Sequence, residues 1–304
     1  MSKINNLLLC WGKCEEGQLG VQINGDTSNI TPKIFPSVLN IKKIVCGDKH
    51  TIALSTDGTV YSSGSNEFCQ LGRTGSQKQL QQISTIETRN ITDIACGYNH
   101  TLLLDSEGQI FGFGDNRSSQ LSCESNAETI PLPRRIAQSL QNVVYIACGY
   151  FCSFAINNIG VLYSWGSNEY GELGIGSDRP VSTHILDIFK LRGCSIIKIA
   201  GGFSHVVAIS HNGYLYAWGN NSKGQAGRGN LTTPRITFPA HVKSVEDMII
   251  IDIACGSDHT VALSDDGRVF TFGFGRWGQL GHGQSSSIEY NPRQVIDLAG
   301  AKIS

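Results

Sequence analysis

Residues 255–281 read CGSDHTVALSDDGRVFTFGFGRWGQLG, and this stretch decides the fold. A short apolar run follows His259 and stops at Asp266-Gly267, a dipeptide that suits a two-residue hairpin turn because such turns need positive φ angles. The next run, Val269-Phe-Thr-Phe272, is equally short and rich in strand-forming residues. The stretch therefore predicts two antiparallel strands joined by a tight turn and followed by a glycine-rich turn.

The same unit occurs five times along the chain in one register. In each copy one glycine lies eight residues after the histidine position and another lies fourteen residues after it, whereas the spacing to the next copy varies. The first half of the unit is therefore rigid, and the variable loop belongs to the second half. A Gln-Leu-Gly type of segment follows each second glycine, and a sixth one lies near the N-terminus. The copies begin at Cys46, Cys96, Cys148, Gly201 and Cys255, and the six segments end at Gly20, Gly72, Ser122, Gly174, Gly227 and Gly281.

Composition limits the class of protein. The 304 residues include 40% hydrophobic residues, 35 glycines and 10 cysteines, and they carry a formal net charge of −1. The hydrophobic content supports a folded core, and no apolar run approaches the ~20 residues of a membrane span. We expect no membrane insertion and, because the charge is balanced, no nucleic-acid partner. The N-terminus shows no signal-peptide pattern, so the cysteines predict reduced thiols and a cytoplasmic location, with a nuclear one left open.

The strand after each hairpin turn has a four-place pattern, as in Leu215-Tyr-Ala-Trp218. Two aromatic residues share one face, while an aliphatic and a small residue share the other. Both faces are therefore covered, as in the middle of stacked sheets. With the strands of the variable half, each unit predicts four short strands, and such sheets packed around an axis form a β-propeller. The predicted fold is an all-β propeller of four-stranded blades, with about six blades represented.

The paired Cys-Gly-x-x-His and Trp-Gly…Gly-Gln-Leu-Gly motifs resemble the repeats of the RCC1 (regulator of chromosome condensation) propeller family over essentially the whole chain. The opening Leu9-Cys-Trp-Gly12 and the stretch from Val269 to His282 are most similar to the N-terminal propeller of the HERC ubiquitin ligases. This resemblance implies a non-catalytic recognition propeller. It also implies that a catalytic HECT domain lies beyond the end of this chain or is absent.

The unit count predicts how the chain is divided. Six Gln-Leu-Gly segments stand against five histidine hairpins, whereas propellers of the family usually have seven blades. We expect an incomplete seven-bladed ring, and a fragment, a truncated isoform and an unusual six-bladed closure all remain open. Residues 1–304 are assigned to a single propeller, with a half unit at 7–45, units starting near 46, 96, 148, 201 and 255, and a partial strand at 298–304.

Several patterns could suggest chemistry but are better explained by packing. The repeated His50, His100, His205 and His259 would lie on separate blades, so hydrogen bonding of a turn is favoured over a metal site. The cysteines that open four of the units share one slot, which favours a small buried residue. The segment Gly273–Gly278 matches a dinucleotide fingerprint, yet the register places a turn where that fingerprint needs a helix. We expect no catalytic residue, no metal and no cofactor.

What remains is a candidate binding surface, here called the rim. The turn after the first strand and the turn after the third strand should emerge at the same end of each sheet, because both connect strands in the same sense. The alternative is that the rim aromatics pack across neighbouring loops. The candidate rim residues are Lys49, Phe68, Tyr98, Asn99, Arg117, Tyr150, Phe151, Tyr170, Phe203, Lys223, Asp258, Arg276 and Trp277.

Two functions follow from the resemblance. The first is a protein–protein interaction propeller that binds a ubiquitination substrate or a regulator, as in a HERC-type ligase. The second is guanine-nucleotide exchange on a Ran-like small GTPase, the activity that names the family. Exchange by the founding member depends on a wedge inserted among the repeats, and the variable half-units here are too uniform in length to hold an added hairpin. The interaction propeller is therefore preferred, and the chain itself is expected not to be an enzyme.

Overall fold

The computed structural model describes residues 8–21, 28–35, 40–121, 127–229, 233–283, 287–298 and 300–301. Within them the chain is all-β, as predicted, apart from four single-turn 3-10 helices. The strands are β1 (Leu9–Lys13), β2 (Ser28–Ile34), β3 (Ile41–Cys46), β4 (His50–Ser55), β5 (Val60–Gly64), β6 (Gln81–Gln82), β7 (Ile91–Cys96), β8 (His100–Asp105), β9 (Ile110–Asp115), β10 (Thr129–Ile136), β11 (Val143–Cys148), β12 (Cys152–Asn157), β13 (Leu162–Ser167), β14 (Val181–Asp187), β15 (Ile196–Gly201), β16 (His205–Ser210), β17 (Leu215–Asn220), β18 (Arg235–His241), β19 (Ile250–Cys255), β20 (His259–Ser264), β21 (Val269–Phe274) and β22 (Ile288–Gln294). The helices are η1 (Ser84–Ile86), η2 (Phe189–Leu191), η3 (Lys243–Val245) and η4 (Ile296–Leu298).

The strands form five four-stranded sheets and one two-stranded sheet. Each four-stranded sheet joins consecutive strands, from β3–β6 to β19–β22, and β1 pairs with β2. All pairings with a described register are antiparallel, as in β16 with β17, where Val206 is opposite Trp218. The predicted four strands per unit are therefore confirmed for five units. Of the partial strand predicted at 298–304, Leu298 ends η4, residues 300–301 are not in a strand, and residues 299 and 302–304 lie outside the described residues.

By its internal contacts the chain divides into two compact units. The first contains residues 1–117 and 123–146, and the second contains residues 118–122 and 147–304. Sheets β3–β6 and β7–β10 belong to the first unit, and sheets β15–β18 and β19–β22 to the second. No helix among the described residues is long and apolar enough to cross a membrane.

The glycine fourteen residues after each histidine position lies at or next to the end of the third strand. Gly219 has a φ of +91°, and a Cβ atom there would lie 2.5 Å from the Ser204 carbonyl oxygen. A side chain is therefore excluded both by the backbone conformation and by the close approach of the neighbouring turn. The requirement explains why this glycine never varies among the five copies, and it brings the two turns of each sheet together.

The core lies between successive sheets and is built from the aromatic face of the third strands. Phe113 in the first unit and Trp165, Trp218 and Phe272 in the second are fully buried. Trp218 meets Phe154 edge to face, with ring centres 6.3 Å apart. Each buried ring of this kind contributes roughly 1.5–3 kcal/mol through the apolar area it removes from water. The pattern that predicted a doubly covered strand thus marks the residues that hold neighbouring sheets together.

Candidate interaction surface

The two rim turns of each sheet lie side by side, as the strand directions predict. Backbone hydrogen bonds join them: the amide of Ser65 donates to the carbonyl of Lys49 at 2.8 Å, and the amide of Ser167 donates to that of Phe151 at 2.9 Å. The same bond recurs between Asn220 and Ser204 at 2.8 Å. The rim is therefore a continuous structural feature within each sheet.

A glutamine fixes the second rim turn, a role that sequence reasoning missed. In Gly278-Gln-Leu-Gly281, the side-chain oxygen of Gln279 accepts a hydrogen bond from the Trp277 amide at 2.8 Å. Gln225 does the same for Lys223 at 2.9 Å, and Glu172 replaces it for Tyr170 at 2.7 Å. The sequence signal for this role is the recurrence of glutamine or glutamate two residues after the side chain that the turn displays. The turn that displays a rim side chain is thus held by its own repeat motif.

In the first unit the rim carries both polar and aromatic side chains, and two of them, Arg117 and Phe68, contact each other. The guanidinium of Arg117 donates twice to Asp115, at 2.9 Å through both Nε and Nη2. It also lies over the Phe68 ring, with Cζ 4.4 Å from the ring centre. These contacts hold both candidate residues in place at the surface.

Three further candidates lie in the first unit. Asn99 is buried, and its side-chain oxygen accepts a hydrogen bond from Gln70 Nε2 at 3.2 Å, so its amide is not presented to solvent. The prediction of a surface contact through Asn99 is therefore corrected, because the side chain holds the adjacent turn. Tyr98 is half-buried, and Lys49 is exposed.

In the second unit three aromatic rings form a cluster across two neighbouring sheets. Phe203 packs edge to face on Tyr150 and on Phe151, with ring centres 5.5 and 5.6 Å apart. Tyr150 and Phe151 are half-buried by this packing, whereas Phe203 remains 40% exposed. The rim aromatics thus pack across loops, as the alternative interpretation expected, and still leave a ring facing solvent.

The other rim residues of the second unit fall into two groups. Lys223 pairs with Asp258 at 2.8 Å and lies 5.1 Å from the centre of the Phe274 ring. Trp277 is 79% exposed, and the Arg276 guanidinium lies 5.4 Å from the centre of its ring. Tyr170 is also exposed. Trp277 is therefore the most accessible aromatic side chain of the rim.

Two of the repeated histidines, His50 and His205, hydrogen-bond to the neighbouring sheet. His205 Nε2 lies 2.9 Å from Thr260 Oγ1 of the next sheet, and that hydroxyl donates to the Gln225 carbonyl at 2.8 Å. A hydroxyl has one hydrogen, so Thr260 accepts from His205, and the imidazole carries its hydrogen on Nε2. His50 has the corresponding contact to Thr101 at 3.2 Å. For His50 and His205 the prediction of a structural hydrogen bond holds, but the partner lies in the next sheet and not in the histidine's own turn.

Burial keeps these histidines neutral. It lowers the pKa of His50 and of His205 to about 3 and that of His100 to about 4. The pKa of His259 is also lowered by burial. Among the described residues no group of three or more His, Cys, Asp or Glu side chains could hold a metal ion.

The cysteine slot is less uniform than predicted. The nine cysteines of the described residues are free thiols. Cys255 Sγ donates to the Ala200 carbonyl of the preceding sheet at 3.5 Å, and burial raises the pKa of this thiol to about 12. Cys96, Cys148 and Cys255 are half-buried, whereas Cys46 is exposed. The expectation of burial is wrong there, because the sheet before it, β1–β2, has no inner strands among the described residues.

The segment from Gly273 to Gly278 ends strand β21 and then forms a turn, as the register predicts. The amide of Gly278 donates to the Gly275 carbonyl at 2.9 Å, and residues 279–281 continue without a helix. No helix N-terminus is presented to a phosphate, so the match to a dinucleotide fingerprint has no structural counterpart.

Comparison with known proteins identifies the family. The sequence model of the RCC1-like domain family matches residues 2–304 of this chain. Probable E3 ubiquitin-protein ligase HERC4 of Mus musculus is 41% identical over 301 residues, which are 98% of this chain and 28% of HERC4. This chain thus spans less than a third of that relative.

Solved structures agree on the fold. Human WBSCR16 superposes with a TM-score of 0.82 at 21% identity, covering 94% of this chain and 75% of that chain. Prp20p of Saccharomyces cerevisiae, a structure described together with its binding properties to Gsp1p and histones, gives a TM-score of 0.71 at 22% identity, covering 99% of this chain and 88% of that chain. The chain therefore belongs to the RCC1-like domain family, and its sheets are the blades of a β-propeller.

Proposed function

We propose that this chain is a protein–protein interaction platform that recognises a substrate or regulator through the rim of its second unit. The observation that carries the proposal is the exposed aromatic surface at Phe203 and Trp277. Exposed aromatic rings beside arginine are typical anchors of protein interfaces, since they bury a large area at little cost in side-chain entropy.

The geometry of these residues supports the role of anchors. Phe203 is held edge to face by two rings, and the backbone of Trp277 is held by Gln279. A ring that is already packed, as Phe203 is, loses less conformational freedom when a partner binds, and so does a turn whose backbone is already held, as at Trp277. The paired Lys223 and Asp258 lie on the same rim and fit the polar border that surrounds such anchors.

The identity to HERC4 supports a place in the ubiquitin pathway. Because the chain matches 28% of that protein, ligase activity would belong to a longer product, and the chain would supply recognition only. We extend the proposal to a cytoplasmic protein, with a nuclear location also compatible with free thiols.

Nucleotide exchange on a Ran-like GTPase is the competing function. The likeness to Prp20p is at 22% identity and shows the fold alone. Purified protein is expected to leave GDP release from Ran unchanged in a fluorescent-nucleotide assay. Acceleration of about tenfold or more would replace the proposed function with exchange.

Partner capture tests the rim directly. Wild-type protein and a variant carrying Trp277→Ala and Tyr170→Ala would be used as baits, and the captured proteins quantified by mass spectrometry. The matched control is Trp11→Ala, which removes a tryptophan that is 59% exposed but lies outside the rim. The rim variant should lose specific partners at unchanged thermal stability, and the control should keep them. Identical partner sets for all three baits would contradict the proposal.

A further inference from the structure

A cavity lies at the other end of the sheet β15–β18, away from the rim. It measures about 540 Å³ and is lined by Tyr214, Tyr216, His241, Glu246 and Asp247. Tyr214 ends the β16–β17 turn, Tyr216 and His241 face each other across β17 and β18, and the two carboxylates follow η3. Every lining residue belongs to the second unit.

Aromatic rings form one wall of this cavity. His241 packs on Tyr214 and on Tyr216, with ring centres 5.1 and 5.6 Å apart. Glu246 lies next to them, with Oε2 3.8 Å from His241 Nδ1. The cavity therefore combines aromatic faces with acidic oxygens, the pairing that attracts a cation.

The chain itself shows which cation suits this position. The ring that corresponds to Tyr216 in the repeat is covered by an arginine at two other sheets. Arg89 Cζ lies 5.2 Å from the centre of the Phe111 ring, and Arg268 Cζ lies 5.8 Å from that of Phe270. Both guanidinium groups also pair with carboxylates, Arg89 with Asp105 and Glu107, and Arg268 with Asp266.

In the sheet β15–β18 neither position supplies an arginine. Cys194, two residues before β15, stands where Arg89 stands two residues before β7, and Tyr214, directly before β17, stands where Arg268 precedes β21. Among the described residues no lysine or arginine pairs with Glu246 or Asp247. Arg228 donates to the backbone carbonyl of His241 at 3.3 Å, and not to either carboxylate.

We infer that this cavity binds the guanidinium of an arginine side chain presented by a partner protein. The planar group stacks on a tyrosine ring, as Arg89 and Arg268 lie over Phe111 and Phe270. Its N–H fork donates to Glu246 or Asp247, which take the part that carboxylates of the hairpin turns play for the two internal arginines. A lysine ammonium lacks the planar fork and fits less well. The inference stands apart from the rim, since it uses other residues at the other end of the strands.

A peptide titration tests the inference with purified protein. The probe is acetyl-Gly-Arg-Gly-amide, followed by NMR of the protein labelled with ¹³C in its tyrosine rings. The signals of Tyr214 and Tyr216 should move with the arginine peptide. The same peptide with citrulline, a neutral isostere of arginine, should bind at least about fivefold more weakly. Equal affinity for the citrulline peptide, or for a lysine peptide, would overturn the assignment.

Variants separate this site from any other acidic surface. Glu246→Gln combined with Asp247→Asn should weaken binding at least about fivefold, whereas Glu87→Gln, at the matching place after η1, should leave it unchanged. Tyr214→Arg places a guanidinium where Arg268 stands in the other sheet, so it should abolish peptide binding by occupying the cavity. The position is 42% exposed and tolerates a longer side chain, and a thermal melt would verify folding. Unchanged binding by both variants would refute the inference.

Discussion

Trp11 and Trp218 occupy the same place in the repeated pattern, directly before the glycine near the end of β1 and of β17, but their surroundings differ. Trp218 is fully buried, and its indole donates to the Glu172 carbonyl at 2.7 Å. Trp11 lies in the two-stranded sheet β1–β2 and is 59% exposed. The pattern thus specifies a residue that suits the contact between two packed sheets, here called the seam. Whether that contact forms at a given tryptophan depends on the presence of a neighbouring sheet.

The largest effect on stability is expected from replacing the two tryptophans themselves. Trp218→Ala should lower the free energy of unfolding by about 3–5 kcal/mol, because it leaves a cavity and an unpaired carbonyl in the seam. Trp11→Ala should cost less than about 1 kcal/mol. Urea denaturation of both variants is the measurement, and equal losses would show that Trp11 is covered in solution.

Acid should weaken the covered seams through their neutral histidines. The pKa of His50 and of His205 is about 3 in the folded protein, against about 6.5 in an unfolded chain. The contribution of these two histidines to the free energy of unfolding is therefore fully present above pH 6.5. Below that pH the free energy of unfolding falls by up to roughly 1.4 kcal/mol per pH unit for each histidine, until the histidines of the folded protein are themselves protonated near pH 3. Urea midpoints at pH 7.5, 6 and 5 would check the slope. A flat profile would mean that these imidazoles are accessible to protons.

Histidine variants sharpen the same comparison. His205→Ala removes the hydrogen bond to Thr260 and a buried ring, and it should cost about 2 kcal/mol. His259 occupies the same repeat position in the sheet β19–β22, but its ring has no hydrogen-bond partner among the described residues. His259→Ala should cost less than about 1 kcal/mol. Chemical denaturation at pH 7.5 distinguishes the two, and a larger loss for His259→Ala would contradict this account of the seam.

The smallest expected effect is a gain in stability. Glu172 replaces the usual glutamine, accepts hydrogen bonds from Ser167 Oγ and the Tyr170 amide, and has its pKa raised by burial. A raised carboxyl pKa means that the folded state disfavours the charged form, so Glu172→Gln should stabilise the protein at pH 8 by up to about 1 kcal/mol. The gain should vanish as the pH falls towards 4.5. Glu169→Gln, its exposed neighbour, is the control, and an equal gain there would point to a general charge effect.

Much of the fold followed from local chemistry. Dipeptides such as Asp266-Gly267 fixed the hairpins through positive φ angles, and the aromatic face of the third strands fixed which side is buried. The expectation that both rim turns emerge at the same end of each sheet was also correct, because the direction of the strands alone determines where their turns lie.

The contacts of individual rim side chains could not be predicted in this way. Asn99 and Phe151 fill the same place in their turns, yet Asn99 is buried against Gln70 while Phe151 packs on Phe203 and stays partly exposed. The partner of His205 was also unforeseen, because Thr260 lies 55 residues further along the chain. Such contacts depend on how one sheet lies against the next.

The amino-acid sequence by itself determined the repeat, the strands, the turns and the residue types that can form a seam, since each depends on neighbours within one unit. Only the tertiary structure decided which tryptophan is covered, which histidine is bonded and where a tyrosine pair meets two carboxylates without an arginine. Burial and pairing depend on contacts between sheets, made by residues far apart in the chain. Short-range sequence patterns do not predict which of these residues meet.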